Sequence, residues 1–259
     1  MKSIREFYEY RELLKTNVRK DIRGRYKGSF LGVLWTFLTP LLQVLVYYIV
    51  FPYLMAGGMP NFLVYLITGI FPWNFFQTSI VGATGCIKAN EGVVKKVYFP
   101  RKILVLSQIL SGLVNYFISI PIMLIFCVVF HIPLTWNVLW LPVIGLVEAL
   151  FIYGCGLILA AINVYVQDVA NIVQFLLNLA FYGTPIVYSL SLFPSKNILA
   201  VMIRLNPLTM IVDMTRAVTM DGILPSFTQM GIVFALGVVI TVFGTWVFDK
   251  LQKGFAEEL

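Results

Sequence analysis

From Gly28 to Ile87 the chain runs for 60 residues without a single Asp, Glu, Lys or Arg. A soluble domain has no place to hide such a run, whereas one helical crossing of a bilayer needs about 20 consecutive apolar residues. Four further uncharged stretches follow, of 45 residues (Ile103 to Val147), 19 (Ala149 to Gln167), 27 (Val169 to Ser195) and 27 (Gly222 to Phe248). The apolar share is 59% and the charged share 12%, against roughly 45–50% and about 25% in soluble domains. These values exclude a disordered chain and a nucleic-acid-binding domain, even with a net charge of +7. Cys86, Cys127 and Cys155 lie inside apolar stretches without CxxC spacing, so neither a disulfide framework nor a metal site is suggested.

Breaking the apolar stretches at Gly, Pro and polar clusters gives an all-α integral membrane protein with six spans, at about 30–53, 62–86, 103–130, 139–165, 169–190 and 227–248. The expected organisation is a cytoplasmic arm over 1–29 and a single transmembrane domain over 30–259. Lys and Arg are retained on the cytoplasmic side. The arm holds nine of them, the loop 88–102 five and the C-terminal tail two, which makes 16 of the 19. An even number of spans then puts both termini in the cytoplasm.

The segment 191–226 is apolar but divided by Pro194, Pro207 and Pro225 into runs over Asn197–Leu205 and Leu208–Met220. Each is too short to cross, so two short helices dipping into the outer leaflet are expected. Irregular backbone at membrane depth survives only where it packs on protein or lines a polar cavity; an extracellular cap is the other reading.

In the arm, Ser3 and Glu6 have capping-box spacing, and apolar residues including Phe7, Tyr8 and Leu14 alternate with Arg11 and other cations. This predicts an amphipathic helix from about residue 4, lying on the inner membrane surface. The loop 88–102 carries Glu91, Lys95, Lys96 and Arg101 between Val94, Tyr98, Phe99 and Pro100, the pattern of a short cytoplasmic helix that docks on a partner; its lysines equally suit a loop that only enforces topology.

Tyr47, Tyr48, Phe51, Trp73, Phe76, Tyr182 and Tyr188 cluster near the outer half of the spans. Most fit an interfacial aromatic belt, and some could line a corridor where ring faces stack on sugars. Glu148 is the one carboxylate well inside a span, a costly position and hence a functional or interhelical hydrogen-bonding residue. His131 reads as solvated in an outer turn, and Asp213 and Arg216, three apart, as a pair. The sequence contains no GxxxxGK[ST], HExxH or GxSxG motif, so no catalytic residue, metal or cofactor is assigned to it.

Six motifs in order resemble the permease subunits of ATP-binding-cassette exporters of the second type, in the branch that moves lipid-linked polysaccharides such as O-antigens, teichoic acids and capsules. They are Arg25–Trp35 with Pro40, Gly69 and Trp73–Phe76 with Ser79, Val94–Arg101, Asn163–Val169, Thr184–Tyr188 and Leu205–Thr209. Gln167 departs from the pattern, standing where relatives often carry Arg. The resemblance implies an interface helix in the arm, a coupling helix near 90–100 between spans 2 and 3, and a re-entrant pair before span 6. It further implies a homodimer joined to two ATP-binding subunits, which would hold the ATP and magnesium, with a lipid-linked polysaccharide as substrate. An exporter of another amphiphile, an ion-coupled transporter, or a membrane enzyme using Glu148 or Asp168 are the competing readings.

Overall fold

The computed structural model describes residues 9–24, 34–54, 60–97, 99–190 and 198–259. Among these residues the chain is helical, without strands. The helices are α1 (Arg11–Gly24), α2 (Trp35–Leu54), α3 (Phe62–Ala89), α4 (Glu91–Val94), α5 (Lys102–Val129), α6 (Leu141–Tyr165), α7 (Val169–Tyr182), α8 (Ile198–Leu205), α9 (Pro207–Thr219), α10 (Phe227–Leu251) and α11 (Phe255–Glu258). Three-residue and five-residue 3₁₀ turns, Gln252–Gly254 and Trp136–Trp140, adjoin α10 and α6.

Three helices are long and apolar enough to cross a membrane by length and composition, and the bent α8–α9 pair makes a fourth if it is counted as one span. The helix α3 is 28 residues long and continuous, with Pro72 and the polar residues Asn74 and Gln77 inside it. It lies at the centre: α2, α5, α6, α7 and α9 all pack on it. Leu66, Ile67 and Ile70 near its start and Ile87 near its end are fully buried, so the core follows the whole helix.

The most extensive helix pair is α6 with α10, and its closeness has a local cause. A Cβ on Gly154 would lie 2.6 Å from the Thr241 amide nitrogen, and one on Gly244 would lie 2.6 Å from the Gly154 carbonyl oxygen. Without a hydrophobic drive between helices in lipid, such small residues permit the van der Waals contact that holds them. Asn163 on α6 donates to the Thr84 carbonyl of α3 at 3.0 Å, a second tie between helices from one of the sequence motifs.

One expected span is corrected. The fifth apolar stretch predicts a span over 169–190, but α7 ends at Tyr182. Fourteen residues at about 1.5 Å each rise roughly 21 Å, short of a hydrocarbon core of about 30 Å. Pro185 explains the stop: it has no N–H to continue the ladder, and it biases Thr184 away from helical backbone. By contrast, the two short helices expected after it are present as α8 and α9, which meet at 77°.

Candidate functional site

The ends of the bundle carry two separate constellations. At the end where α3 begins, the non-helical stretch after α7 is held by α3 and by α9 with its capping residue. Asn206 caps α9 by accepting from the Leu208 amide at 3.0 Å, while its Nδ2 donates to the Gly183 carbonyl and to Thr184 Oγ1, both at 3.2 Å. One side chain therefore starts α9 and ties it to the end of α7.

Arg216, on α9, completes the clasp. Its Nη1 donates to the Pro185 carbonyl at 2.7 Å, and its Nη2 to the carbonyls of Ile186 at 3.1 Å and Tyr65 at 3.2 Å. The guanidinium also stacks 3.4 Å from the centre of the Tyr65 ring. Tyr65 in turn donates its hydroxyl to the Tyr188 carbonyl at 2.8 Å. Gly69 makes the approach possible, since a Cβ there would lie 2.9 Å from Arg216 Nη2. The expected Arg216–Asp213 pair is not formed among the described residues. A buried guanidinium has five N–H donors to satisfy, and the carbonyls freed by the end of α7 supply acceptors that a single carboxylate would not. Asp213 and Arg216 both line a polar pocket of about 500 Å³, with Arg204, Asp221 and Gln229, without closing to an ion pair.

Three motifs distant in sequence, Gly69, Thr184–Tyr188 and Leu205–Thr209, thus meet at one clasp. The sequence pointed to its segments but not to Tyr65 or to the true partners of Arg216. An isolated cation in an apolar run, 151 residues from Tyr65, was the available signal.

At the other end of α3 the loop toward α5 forms a four-residue helix, α4, followed by a turn. Val94 and Phe99 are buried and anchor it, while Val93 and Val97 are exposed at 45% and 56%. Glu91 and Lys95 form an ion pair at 2.6 Å, and Lys96 is exposed. Tyr98 lies outside the described residues. Pro100 is half-buried and precedes α5. Arg101 donates to the Gln252 carbonyl and stacks over Phe255, and Lys102 pairs with Asp249 at 2.7 Å. The base of the loop is therefore fastened to the C-terminal segment, a connection that the sequence did not suggest.

In the arm, Phe7 and Tyr8 lie outside the described residues; Arg11 opens α1 and Leu14 is half-buried on it. The helix packs along α5, with Gln108 donating to Asp21 at 2.7 Å. Among the aromatics, Trp73 is 2% exposed and packs edge-on against Phe181 at 5.5 Å. Tyr47 reaches the same Phe181 at 5.9 Å, and Phe76 stacks on Phe151 at 6.1 Å. Tyr48 and Tyr182 are exposed, and Tyr188 donates to the Tyr182 carbonyl at 2.9 Å; the Phe51 side chain lies outside the described set. Glu148 is fully buried on α6, one turn beyond Gly145, whose missing side chain admits the ring of Tyr116. Neither of its carboxyl oxygens has a hydrogen-bond partner among the described residues.

The model of the ABC-2 type transporter family matches residues 12–220, most of the chain and every element of both constellations apart from the C-terminal segment. The chain belongs to the ABC-2 type transporter family. The relatives of this ABC-2 chain include the O-antigen export system permease protein RfbA of Myxococcus xanthus, 35% identical over 99% of this chain and 98% of that one. The protein of the same name from Klebsiella pneumoniae is 33% identical over 96% and 95%. A more distant relative is the polysialic acid transport protein KpsM of Escherichia coli, 25% identical over 86% and 87%. As an ABC-2 membrane chain, it has its two constellations at opposite ends of one helix, α3.

Proposed function

We propose that this chain is the permease subunit of an ATP-driven exporter that moves a lipid-linked polysaccharide across the bacterial cytoplasmic membrane. The observation that carries this reading is similarity along almost the whole length to permeases of O-antigen export. The sequence holds no phosphate-binding loop. The chain is read as path and lever, with ATP and magnesium on a separate subunit.

In this reading the assembly contains two copies of the permease and two ATP-binding subunits. Each permease has the arm at 1–29, a transmembrane domain at 30–259, six crossings and both termini in the cytoplasm. The basic loop between α3 and α5 then faces the cytoplasm and docks on the ATP-binding subunit through Val93, Val97 and Lys96. The α8–α9 pair enters from the outer face.

The lever follows from α3. It is a single helix from Phe62 to Ala89, and at about 1.5 Å per residue it spans roughly 42 Å. One end continues into α4, and the other carries Tyr65 and Gly69 of the clasp. Closure of the ATP-binding subunits pushes the α4 segment, the push travels along α3, and displacement of Tyr65 withdraws both its ring and its carbonyl from Arg216. The α8–α9 pair and the stretch after α7, still joined to each other through Arg216 and Asn206, are thereby released together from α3, opening an outer mouth beside Tyr182 and Tyr188.

The test is to purify the chain with its ATP-binding partner, reconstitute the complex, and measure ATP hydrolysis with and without a lipid-linked glycan. Stimulation by the glycan supports the reading. Hydrolysis that responds to other amphiphiles but not to the glycan would redirect it to a different cargo.

A further inference from the structure

Two adjoining ridges run along α1. Leu14, Val18 and Ile22 recur every four residues as an apolar ridge, and Lys15 and Arg19 form a cationic one beside it. On the opposite flank, the bond from Gln108 to Asp21 fixes the helix to α5. Beside this attachment the apolar ridge and Leu110, Val114 and Phe117 of α5 line an open groove of about 640 Å³. Val114 is 37% exposed within it.

Lys15 and Arg19 both line this groove and are exposed. Lys15 is shared with Glu12 at 2.9 Å, an exposed pair worth little. Arg19 forms no ion pair among the described residues. An apolar trough with cations along its edge complements a molecule with an acyl chain and a phosphate. A zwitterionic lipid brings its own ammonium beside the phosphate, which weakens the attraction to Lys15 and Arg19; an anionic one fills the trough and leaves its phosphate charge to the two cations, and cations near an anionic leaflet are attracted to it.

We propose that the groove between α1 and α5 binds an anionic glycerophospholipid of the phosphatidylglycerol type. Its phosphate sits between Lys15 and Arg19, and one acyl chain lies along Val18, Ile22, Val114 and Phe117. The inference does not depend on which cargo is exported. It requires only that α1 meets the membrane.

The experiment is native mass spectrometry of the full-length chain in detergent, titrated with dioleoyl phosphatidylglycerol or dioleoyl phosphatidylcholine. The unaltered chain should retain phosphatidylglycerol in preference. Each of Lys15→Gln and Arg19→Gln should weaken that retention by about fivefold, whereas Arg19→Lys should keep most of it. Glu12→Gln frees Lys15 and should strengthen it. Val114→Trp fills the trough and should lower retention of both lipids. Equal retention of the two lipids by the unaltered chain, or undiminished retention by the Lys15→Gln/Arg19→Gln double variant, would overturn the proposal. Displacement of phosphatidylglycerol by equimolar undecaprenyl phosphate would also overturn it, assigning the groove to an isoprenoid carrier.

Discussion

Arg216 and Tyr65, 151 residues apart, are stacked at 3.4 Å while the same guanidinium donates to three backbone carbonyls. Lysine cannot replace this arrangement, because its ammonium lacks both the plane that stacks and the fork that reaches several acceptors. Arg216→Lys is expected to cost about 2–4 kcal/mol, as buried carbonyls lose their donors. Thermal unfolding of the purified chain checks this, and Gly69→Ala, which crowds Nη2, should destabilise in the same direction.

Asn206 has a double role that two substitutions separate. Asn206→Asp keeps an oxygen for the Leu208 amide but loses the donor to Gly183 and Thr184. Asn206→Ala loses both. Loss of a helix cap costs about 1 kcal/mol, so Asn206→Ala should lower the unfolding temperature further than Asn206→Asp. If the two are equally damaging, the link to Gly183 rather than the cap is what holds α9.

The docking reading of α4 predicts that Lys96→Glu and Val97→Asp reduce co-purification of the ATP-binding subunit without unfolding the permease. Lys95 needs a different design, since it already pairs with Glu91. The exchange Glu91→Lys/Lys95→Glu restores a pair within the turn while moving both charges. Retained binding in the exchange, after loss in Lys95→Glu alone, would show that Lys95 acts through Glu91 and not through the partner.

Lys102 and Asp249 are unequally placed: the side chains are 8% and 48% exposed. Removing the carboxylate leaves an ammonium in a poorly hydrated site, whereas removing the amine leaves a carboxylate that water reaches. Asp249→Asn should therefore destabilise more than Lys102→Met, by roughly 1–2 kcal/mol. Denaturation of the two variants side by side tests the order.

How far the sequence foretold this architecture depends on what each signal reports. Hydropathy found the apolar stretches, and Pro207 behind Asn206 marked the start of α9 closely. Hydropathy could not end α7 at Tyr182, because 183–190 is as apolar as a helix and its backbone departs from one for reasons visible only in the clasp. Spacing along one helix likewise suggested that Arg216 pairs with Asp213, since a one-dimensional rule cannot see acceptors supplied by α3 and by the stretch after α7. The anchoring of Arg101 and Lys102 to the C-terminal segment was hidden for the same reason. The aromatic residues illustrate the limit most plainly: Trp73 and Tyr182 look alike in sequence, yet one is core and the other is 67% exposed.

The central claim is that this chain carries a finished lipid-linked polysaccharide across the cytoplasmic membrane. It is tested most directly by deleting the gene in its host and measuring the glycan on each side of that membrane. The account predicts that surface polysaccharide is lost while lipid-linked glycan accumulates inside, and that both are restored by the unaltered gene but not by Arg216→Ala. Unchanged surface polysaccharide, or failure to make the glycan at all, would contradict it.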